Sequence, residues 1–162
     1  MIKETTLHYK TPEEIKAFQE ARLQEALAYL QEHSTFYRRM FQENNIDIKA
    51  IKSIEDLTKI PTTSKQDLQS HNADFLCVSP TDVIDYVTTS GTLGEPVTFA
   101  LTESDLQRLA YNEASSFTMT GCTKEDVMQL MTTIDRRFMA GLAYYMGARE
   151  LGMGVIRVGN GI

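Results

Sequence analysis

A stretch of hydroxyl-bearing residues and glycines carries the clearest chemical pattern in this sequence. Residues 88–96, TTSGTLGEP, separate two segments rich in β-branched and aromatic residues. Gly91 and Gly94 permit backbone angles that other residues avoid, so that successive N–H groups can converge on an anion. The stretch also carries four hydroxyl donors: Thr88, Thr89, Ser90 and Thr92. Together these groups predict a loop that can bind phosphate oxygens.

Composition alone leaves an ordinary hairpin turn as the alternative, because serine, threonine, glycine and proline are the usual residues of turns. The loop also differs from the P-loop of strand-to-helix nucleotide-binding folds. No Gly-Lys-Ser/Thr sequence follows the glycines, and Val97 to Leu101 has the pattern of a strand.

A second group of candidate residues is the charged run Asp135-Arg136-Arg137, which precedes Phe138. Guanidinium groups bind carboxylates through paired hydrogen bonds, so the run could clamp a polar carboxylate. An equally acceptable interpretation is a charged helix start, with Asp135 near the positive end of the helix dipole. The sequence leaves both open.

Composition excludes several classes of protein. The 162 residues are 42% hydrophobic and 23% charged, as in ordinary globular domains, and the net charge of −6 offers no basic field for nucleic acid. No run approaches the roughly 18 apolar residues of a membrane span. Cys77 and Cys122 predict neither a disulfide nor a metal site. The three histidines have no evident nucleophile or metal partner. We therefore expect a cytoplasmic protein and assign no catalytic side chain.

The N-terminal part of the chain predicts helices. Thr11, Pro12 and Glu14 form a capping box, with proline at the first helical position. An apolar stripe at helical spacing follows, and we expect it to be core: Ile15, Phe18, Leu23, Ala26, Tyr29 and Leu30. A second helix is expected over residues 35–44, with buried positions at Phe36, Met40 and Phe41.

The C-terminal part predicts a helix capped by Thr102 and then a right-handed βαβ unit. Its strands are Val127–Thr132 and Val155–Val158, and we expect both to be buried on two faces. The intervening helix, about residues 138–151, ends at Gly152, with residues 144–146 in its core. The predicted fold is α/β: N-terminal helices (1–75), then an α/β segment (76–162) with a β-hairpin carrying the glycine-rich loop and the βαβ unit.

Residues 89–96 resemble the phosphate-binding loop of the adenylate-forming enzymes, Ser/Thr-Ser-Gly-Thr-Thr/Ser-Gly-x-Pro. The wider context is similar to the phenylacetate-CoA ligase-like branch, with blocks in the same order and at about the same distance from the loop. These blocks are Phe36–Arg39, Ile54–Leu57 and Ile60–Leu68. The likeness extends from the first helix to Gly161.

The resemblance implies AMP-forming activation of a small carboxylic acid with ATP, Mg²⁺ and CoA. In such enzymes the carboxylate attacks the α-phosphate of ATP, pyrophosphate leaves, and the CoA thiol then displaces AMP. The loop residues that carry over as holders of the β- and γ-phosphates are Thr88, Thr89, Ser90, Gly91, Thr92 and Gly94. Phe138 matches a phenylalanine beside the family's aryl-acid pocket, and Arg136 is the second substrate-binding candidate.

Two departures from the family pattern bear on phosphate and substrate binding. Glu95 stands where many members have lysine, and a unit charge about 6 Å away is worth roughly 1–3 kcal/mol at effective dielectrics of 20 to 80. The Tyr-Gly-Tyr-Gly-like segment that precedes the family's phenylalanine is also missing, which puts phenylacetate itself in doubt.

The family's adenine-binding, ribose-binding and adenylating residues have no counterpart in these 162 residues, so we expect an N-terminal portion of a larger adenylate-forming domain. Two alternatives remain open: a non-catalytic binding module, or an acyl-protein synthetase relative that works without CoA. A homodimer is one of the open assembly states. Nucleic-acid and membrane partners are not expected.

Overall fold

The computed structural model describes residues 10–89 and 95–160 of the chain. It divides the chain into two compact units, the first ending at Val78 and the second beginning at Ser79. Within the described residues, no helix is both long and apolar enough to cross a bilayer.

The first unit is helical. Its α-helices are α1 (Pro12–His33), α2 (Thr35–Glu43) and α3 (Lys65–Ser70), and short 3₁₀ helices cover Ile48–Ala50, Glu55–Lys59 and Asn72–Phe75. The predicted capping box is confirmed: the Glu14 N–H donates to the Thr11 hydroxyl at 3.3 Å, and the Thr11 N–H donates to the Glu14 carboxylate at 2.9 Å. These bonds satisfy donors that a helix start otherwise leaves unpaired.

The core of the first unit forms where α1 meets α2. Its buried members are Leu27, Phe36, Met40, Phe41 and Ile51, so the three positions predicted in α2 are confirmed. The predicted stripe of α1 is partly wrong, because Ala26 is exposed, Tyr29 is 44% exposed and Leu27 is buried instead. Among the described elements, α1 packs mainly on α2 and the 48–50 turn, and a narrow stripe suffices for that contact.

The second unit combines helices with two small sheets, so the mixed α/β class is confirmed. Strands β1 (Asp85–Thr88) and β2 (Thr98–Leu101) pair antiparallel, and helix α4 (Glu103–Met119) follows. Strand β3 (Val127–Leu130) and strand β4 (Gly154–Arg157) pair in parallel, with helix α5 (Met139–Leu151) between them in sequence. A 3₁₀ helix, Pro80–Asp82, precedes β1.

Helices α4 and α5 approach each other through small residues. Ala110 and Ala114 of α4 are buried, and a Cβ added at Gly147 of α5 would lie 2.2 Å from the Cβ of Glu113. Small residues therefore set the distance between the helices. The prediction that Tyr144 is core is wrong, since its side chain is 40% exposed, although its ring centre lies 6.4 Å from that of Phe117 on α4.

The parallel strand pair is covered on one face. Helix α5 packs against both β3 and β4, but Val127 is 65% exposed and Ile156 is 56% exposed. The prediction that both strands are buried on two faces is therefore wrong for the described part of the chain. An apolar run indicates that a strand can be buried on two faces, and α5 supplies cover for one of them.

Candidate functional site

The hairpin closes directly before the glycine loop. Thr88 pairs with Thr98 as the last rung of the β1–β2 ladder, and the Thr89 N–H then donates to the Val97 carbonyl at 3.0 Å. In return, the Val97 N–H donates to the Thr89 hydroxyl oxygen at 3.0 Å. Val87 and Val97, 2% and 3% exposed, anchor the two ends in apolar surroundings. The base of the loop is thus fixed by hydrogen bonds and packing.

Four of the predicted phosphate-binding residues lie outside the described residues: Ser90, Gly91, Thr92 and Gly94. The structure does describe both residues at the N-terminal base of the loop. Thr88 ends β1, and Thr89 forms the closing contact with Val97. The Thr89 oxygen accepts from Val97, and a hydroxyl that accepts one hydrogen bond can still donate another.

The base of the loop also contacts the second predicted site segment. The Thr88 N–H donates to the Arg137 carbonyl at 2.8 Å, and Thr88 and Phe138 form an isolated parallel bridge. Two residues that sequence analysis named separately, Thr88 for phosphate and Phe138 for the acid, are therefore neighbours. This contact fixes where α5 begins relative to the hairpin.

The run from Asp135 to Phe138 forms a tight turn. The Phe138 N–H donates to the Asp135 carbonyl at 3.2 Å, and Arg136 and Arg137 both adopt left-handed backbone angles, φ 56° and 61°. The interpretation of this run as a charged helix start is wrong: α5 begins at Met139, and its first turn contains no acidic residue. Left-handed residues cannot continue into a right-handed helix, so the turn stays outside α5.

An open cleft of about 530 Å³ lies beyond the carboxyl ends of β3 and β4. One wall is the segment Thr132–Arg136 after β3, and the other consists of Arg157, Gly159 and Asn160 at the end of β4. Ligands of open parallel sheets commonly bind at this edge. Of the predicted acid-binding residues, Arg136 lines the cleft and Phe138 lies two residues beyond its wall.

Sequence analysis missed Arg157 and Asn160. The Arg157 guanidinium carbon lies 5.5 Å from the centre of the Tyr145 ring, an arrangement that favours a cation–π contact. The available signal was positional, because Arg157 is the last residue of β4 and Asn160 follows it shortly after. Polar residues at that place in a βαβ unit are candidates for ligand binding.

The wall after β3 is held close to α5 by a glycine. A Cβ added at Gly141 would lie 1.8 Å from the Thr133 carbonyl oxygen and 2.8 Å from its carbonyl carbon. Only a residue without a side chain permits this approach. Gly141 therefore positions the cleft wall although it contributes no chemistry.

The carboxylates with lowered pKa lie outside this site and hold helix starts or turns. A hydrogen bond from the Lys59 ammonium, at 2.6 Å, and backbone N–H bonds keep the pKa of Asp56 well below its usual range. Hydrogen bonds from Ser64 lower the pKa of Asp67 in the same way. These groups have structural roles. Within residues 10–89 and 95–160, no three His, Cys, Asp or Glu side chains are grouped so as to hold a metal ion.

The chain is similar to phenylacetate-CoA ligases along most of its length. It is 35% identical over 151 residues to the phenylacetate-coenzyme A ligase of Thermus thermophilus, and 30% identical over 150 residues to that of Escherichia coli. These alignments cover 93% and 92% of this chain and 34% of each relative. The chain thus spans about a third of the length of the curated relatives it matches. The resemblance predicted from sequence is confirmed, while no family model matches the chain.

A solved structure shows the same fold. The chain superposes on 2-hydroxyisobutyryl-CoA ligase in complex with 2-HIB-AMP and CoA with a TM-score of 0.86 and 26% identity, covering 94% of this chain and 33% of that one. An open conformation of the same ligase gives a TM-score of 0.85. The fold of the described residues therefore corresponds to part of an adenylate-forming ligase.

Proposed function

We propose that this chain, which is similar to phenylacetate-CoA ligases over 93% of its length, supplies the ATP phosphate-binding loop of an AMP-forming acyl-CoA ligase. In the reaction, a carboxylate oxygen attacks the α-phosphate of ATP, and the bond to pyrophosphate breaks. The CoA thiol then attacks the acyl carbon and AMP leaves. The charge of the ATP phosphates would be offset by bound Mg²⁺.

The residues proposed to hold the β- and γ-phosphates are Thr88, Thr89, Ser90, Gly91, Thr92 and Gly94. Their contribution is positioning and charge stabilisation, which dominate in phosphoryl and adenylyl transfer. The hydrogen bonds between Thr89 and Val97 hold the base of the loop, so less ordering is needed when phosphate binds.

The contact of Thr88 with Arg137 and Phe138 is the single observation that carries this proposal. It connects the proposed phosphate loop to the segment beside the cleft through a 2.8 Å backbone hydrogen bond. Activation of an acid requires its carboxylate and the α-phosphate to be held together. A direct connection between the two binding segments meets that requirement.

Binding energies predict that the chain alone holds nucleotide weakly. Three charge-assisted hydrogen bonds of about 1.5–3 kcal/mol each give roughly 5–9 kcal/mol. Association costs about 4–15 kcal/mol in lost freedom. We therefore expect millimolar binding and no robust acid-dependent ATP–pyrophosphate exchange by the isolated chain.

The loop can be tested directly with tripolyphosphate and residue-resolved NMR. We expect shifts centred on residues 88–97, and their loss when Gly91 and Gly94 are both replaced by valine. Leu93→Ala is the matched control, because it keeps the glycines and hydroxyls. Unchanged tripolyphosphate binding by the double valine variant would contradict the assignment of the loop.

The charge of Glu95 offers a second test of the same loop. Glu95 is exposed at the loop's C-terminal side, and we expect Glu95→Gln, which removes one unit charge, to tighten tripolyphosphate binding by roughly 1–3 kcal/mol at low salt. Glu95→Lys changes the charge by two units and should give about twice that gain, and both gains should shrink as salt is added. Equal affinity of all three forms would place the phosphates away from this end of the loop.

We further infer that segments 1–75 and 76–162 serve one larger adenylate-forming domain, with the hairpin loop and the βαβ unit as its nucleotide and acid side. Cys77 and Cys122 are both free thiols, which is the usual state of cysteines in the reducing cytoplasm.

The exposed Val127 and Ile156 should drive self-association of the isolated chain. Light scattering should detect larger species, and threonine at both positions should reduce them.

A further inference from the structure

We propose that the cleft beyond β3 and β4 binds a small oxyanion, and that this oxyanion is a second carboxylate group of the acid that is activated. The part concerning the activated acid rests on the proposed function. Binding of the oxyanion rests on the cleft alone. Arg136 and Arg157, one from each wall, are the residues assigned to it.

The charge of the cleft favours an anion. Its lining contains two guanidinium groups and one carboxylate, that of Asp135, and the Arg136–Asp135 pair is loose, with the nearest atoms 4.0 Å apart. Among the described residues, no carboxylate forms an ion pair with Arg157. Its guanidinium carbon lies 5.5 Å from the centre of the Tyr145 ring, and a guanidinium group can bind a carboxylate through two parallel N–H donors.

The backbone of the turn provides a second, independent argument. Arg136 and Arg137 have φ values of 56° and 61°, a conformation that glycine adopts without cost and arginine does not. Unfavourable backbone conformations persist only where the surrounding structure imposes them, and they cluster at active sites and ligand-binding clamps. Arg136 extends into solvent at the cleft, with its side chain 89% exposed, so packing does not explain it.

The lining also disfavours an apolar acid. Ile134 is the apolar residue of the described lining, and the others supply hydroxyls, an amide, charges or backbone groups. A phenyl ring in this position would displace water from two guanidinium groups without replacing its hydrogen bonds, which is costly. A carboxylate replaces those bonds, so the lining fits an acid with a second carboxylate.

The test is an NMR titration of the whole chain with glutarate, the dicarboxylate probe, beside butyrate and inorganic phosphate. We expect glutarate to shift the NMR signals of residues 132–136 and 157–160 and to bind more tightly than butyrate. Arg157→Gln and Arg136→Gly should each weaken glutarate about fivefold, as expected for loss of one partly exposed charge-assisted bond. Arg108→Gln, on α4, is the matched control and should leave glutarate affinity unchanged.

The outcomes separate this proposal from the previous one. Arg136→Gly should not lower the thermal midpoint, so weaker binding by that variant cannot come from unfolding. Phosphate binding more tightly than glutarate would overturn the dicarboxylate assignment, and shifts outside the cleft would overturn the site. Tripolyphosphate binding at residues 88–97 with no glutarate binding would refute this inference alone; the reverse result would refute only the phosphate loop.

Discussion

Two left-handed turns flank helix α5, and the sequence builds them in opposite ways. Gly152 ends the helix with φ 88°, a position where glycine is the expected residue. Arg136 and Arg137 precede the helix with φ 56° and 61°, where arginine is strained. The first turn has a structural role. The second places the Arg136 side chain at the edge of a cleft and the Arg137 carbonyl at the base of the proposed phosphate loop.

The two turns lie in one segment, between β3 and β4, and they differ in what selects their residues. At Gly152 the backbone requirement alone selects the residue. At Arg136 the backbone requirement is the same, but the side chain lines the cleft. Substitutions at the two turns should therefore change stability in opposite directions, while only those at the arginine turn should change ligand binding.

The largest effect is expected at Gly141 of α5, because this glycine lets the cleft wall at Thr133 lie close against the helix. A Cβ at this position would lie 1.8 Å from the Thr133 carbonyl oxygen, so Gly141→Ala should cost about 2–3 kcal/mol. Urea unfolding followed by circular dichroism measures the change. The control is Gly154→Ala, whose nearest contact would be an ordinary 3.4 Å. Equal losses of unfolding free energy for both variants would contradict the role of Gly141 in close packing against Thr133.

A smaller loss is expected at the glycine turn. Gly152→Ala introduces a side chain at φ 88° with its nearest contact at 3.4 Å, so strain rather than collision should decide the cost, about 1–2 kcal/mol. Gly152→Asn should lose less, because asparagine tolerates this conformation better. An alanine variant as stable as the parent protein would show that the turn at Gly152 does not require glycine.

The arginine turn should respond with the opposite sign. Arg136→Gly relieves backbone strain but adds freedom to the unfolded chain, so the net gain should be at most about 1 kcal/mol. The free energy of unfolding should thus rise slightly or stay level. A clear fall in stability would show that Arg136 serves the fold, and it would remove the strain argument for a ligand.

The smallest effect concerns how the two long helices of this unit begin. Helix α4 starts with a capping box that contains Asp105. Partial burial raises the pKa of this carboxyl, but hydrogen bonds from Thr102 and Arg108 outweigh that effect and lower the pKa. Helix α5 has Phe138 as its N-cap residue and therefore no side-chain cap. Because the folded pKa of Asp105 is depressed, its stabilisation is present above the ordinary value of 3.8 and is lost as pH falls below it.

Amide exchange between pH 5 and pH 3 should therefore show α4 opening at its start before α5 does. Thr102→Ala should remove about 1 kcal/mol at neutral pH and abolish much of that pH dependence. If both helix starts respond equally to acid, the capping carboxylate is not the cause.

Local rules predicted the parts of the fold that depend on local chemistry. Thr11 and Thr102 cap their helices, and Gly152 ends α5, because each motif satisfies backbone groups within a few residues. Burial of Tyr144 and double cover of β3 and β4 were predicted wrongly, because both depend on how closely distant elements pack. The sequence gives no local signal for arginine in a left-handed conformation, so the turn before α5 and the cleft beside it could be identified only from the structure.

One NMR experiment on the unmodified chain tests the central proposal most directly: tripolyphosphate is titrated first, and glutarate is added to the same sample. We predict two separate sets of shifts, residues 88–97 with tripolyphosphate, then 132–136 and 157–160 with glutarate, with Thr88 and Phe138 at their border. No response of residues 88–97 to tripolyphosphate at tens of millimolar would contradict the assignment of the hairpin loop to phosphate.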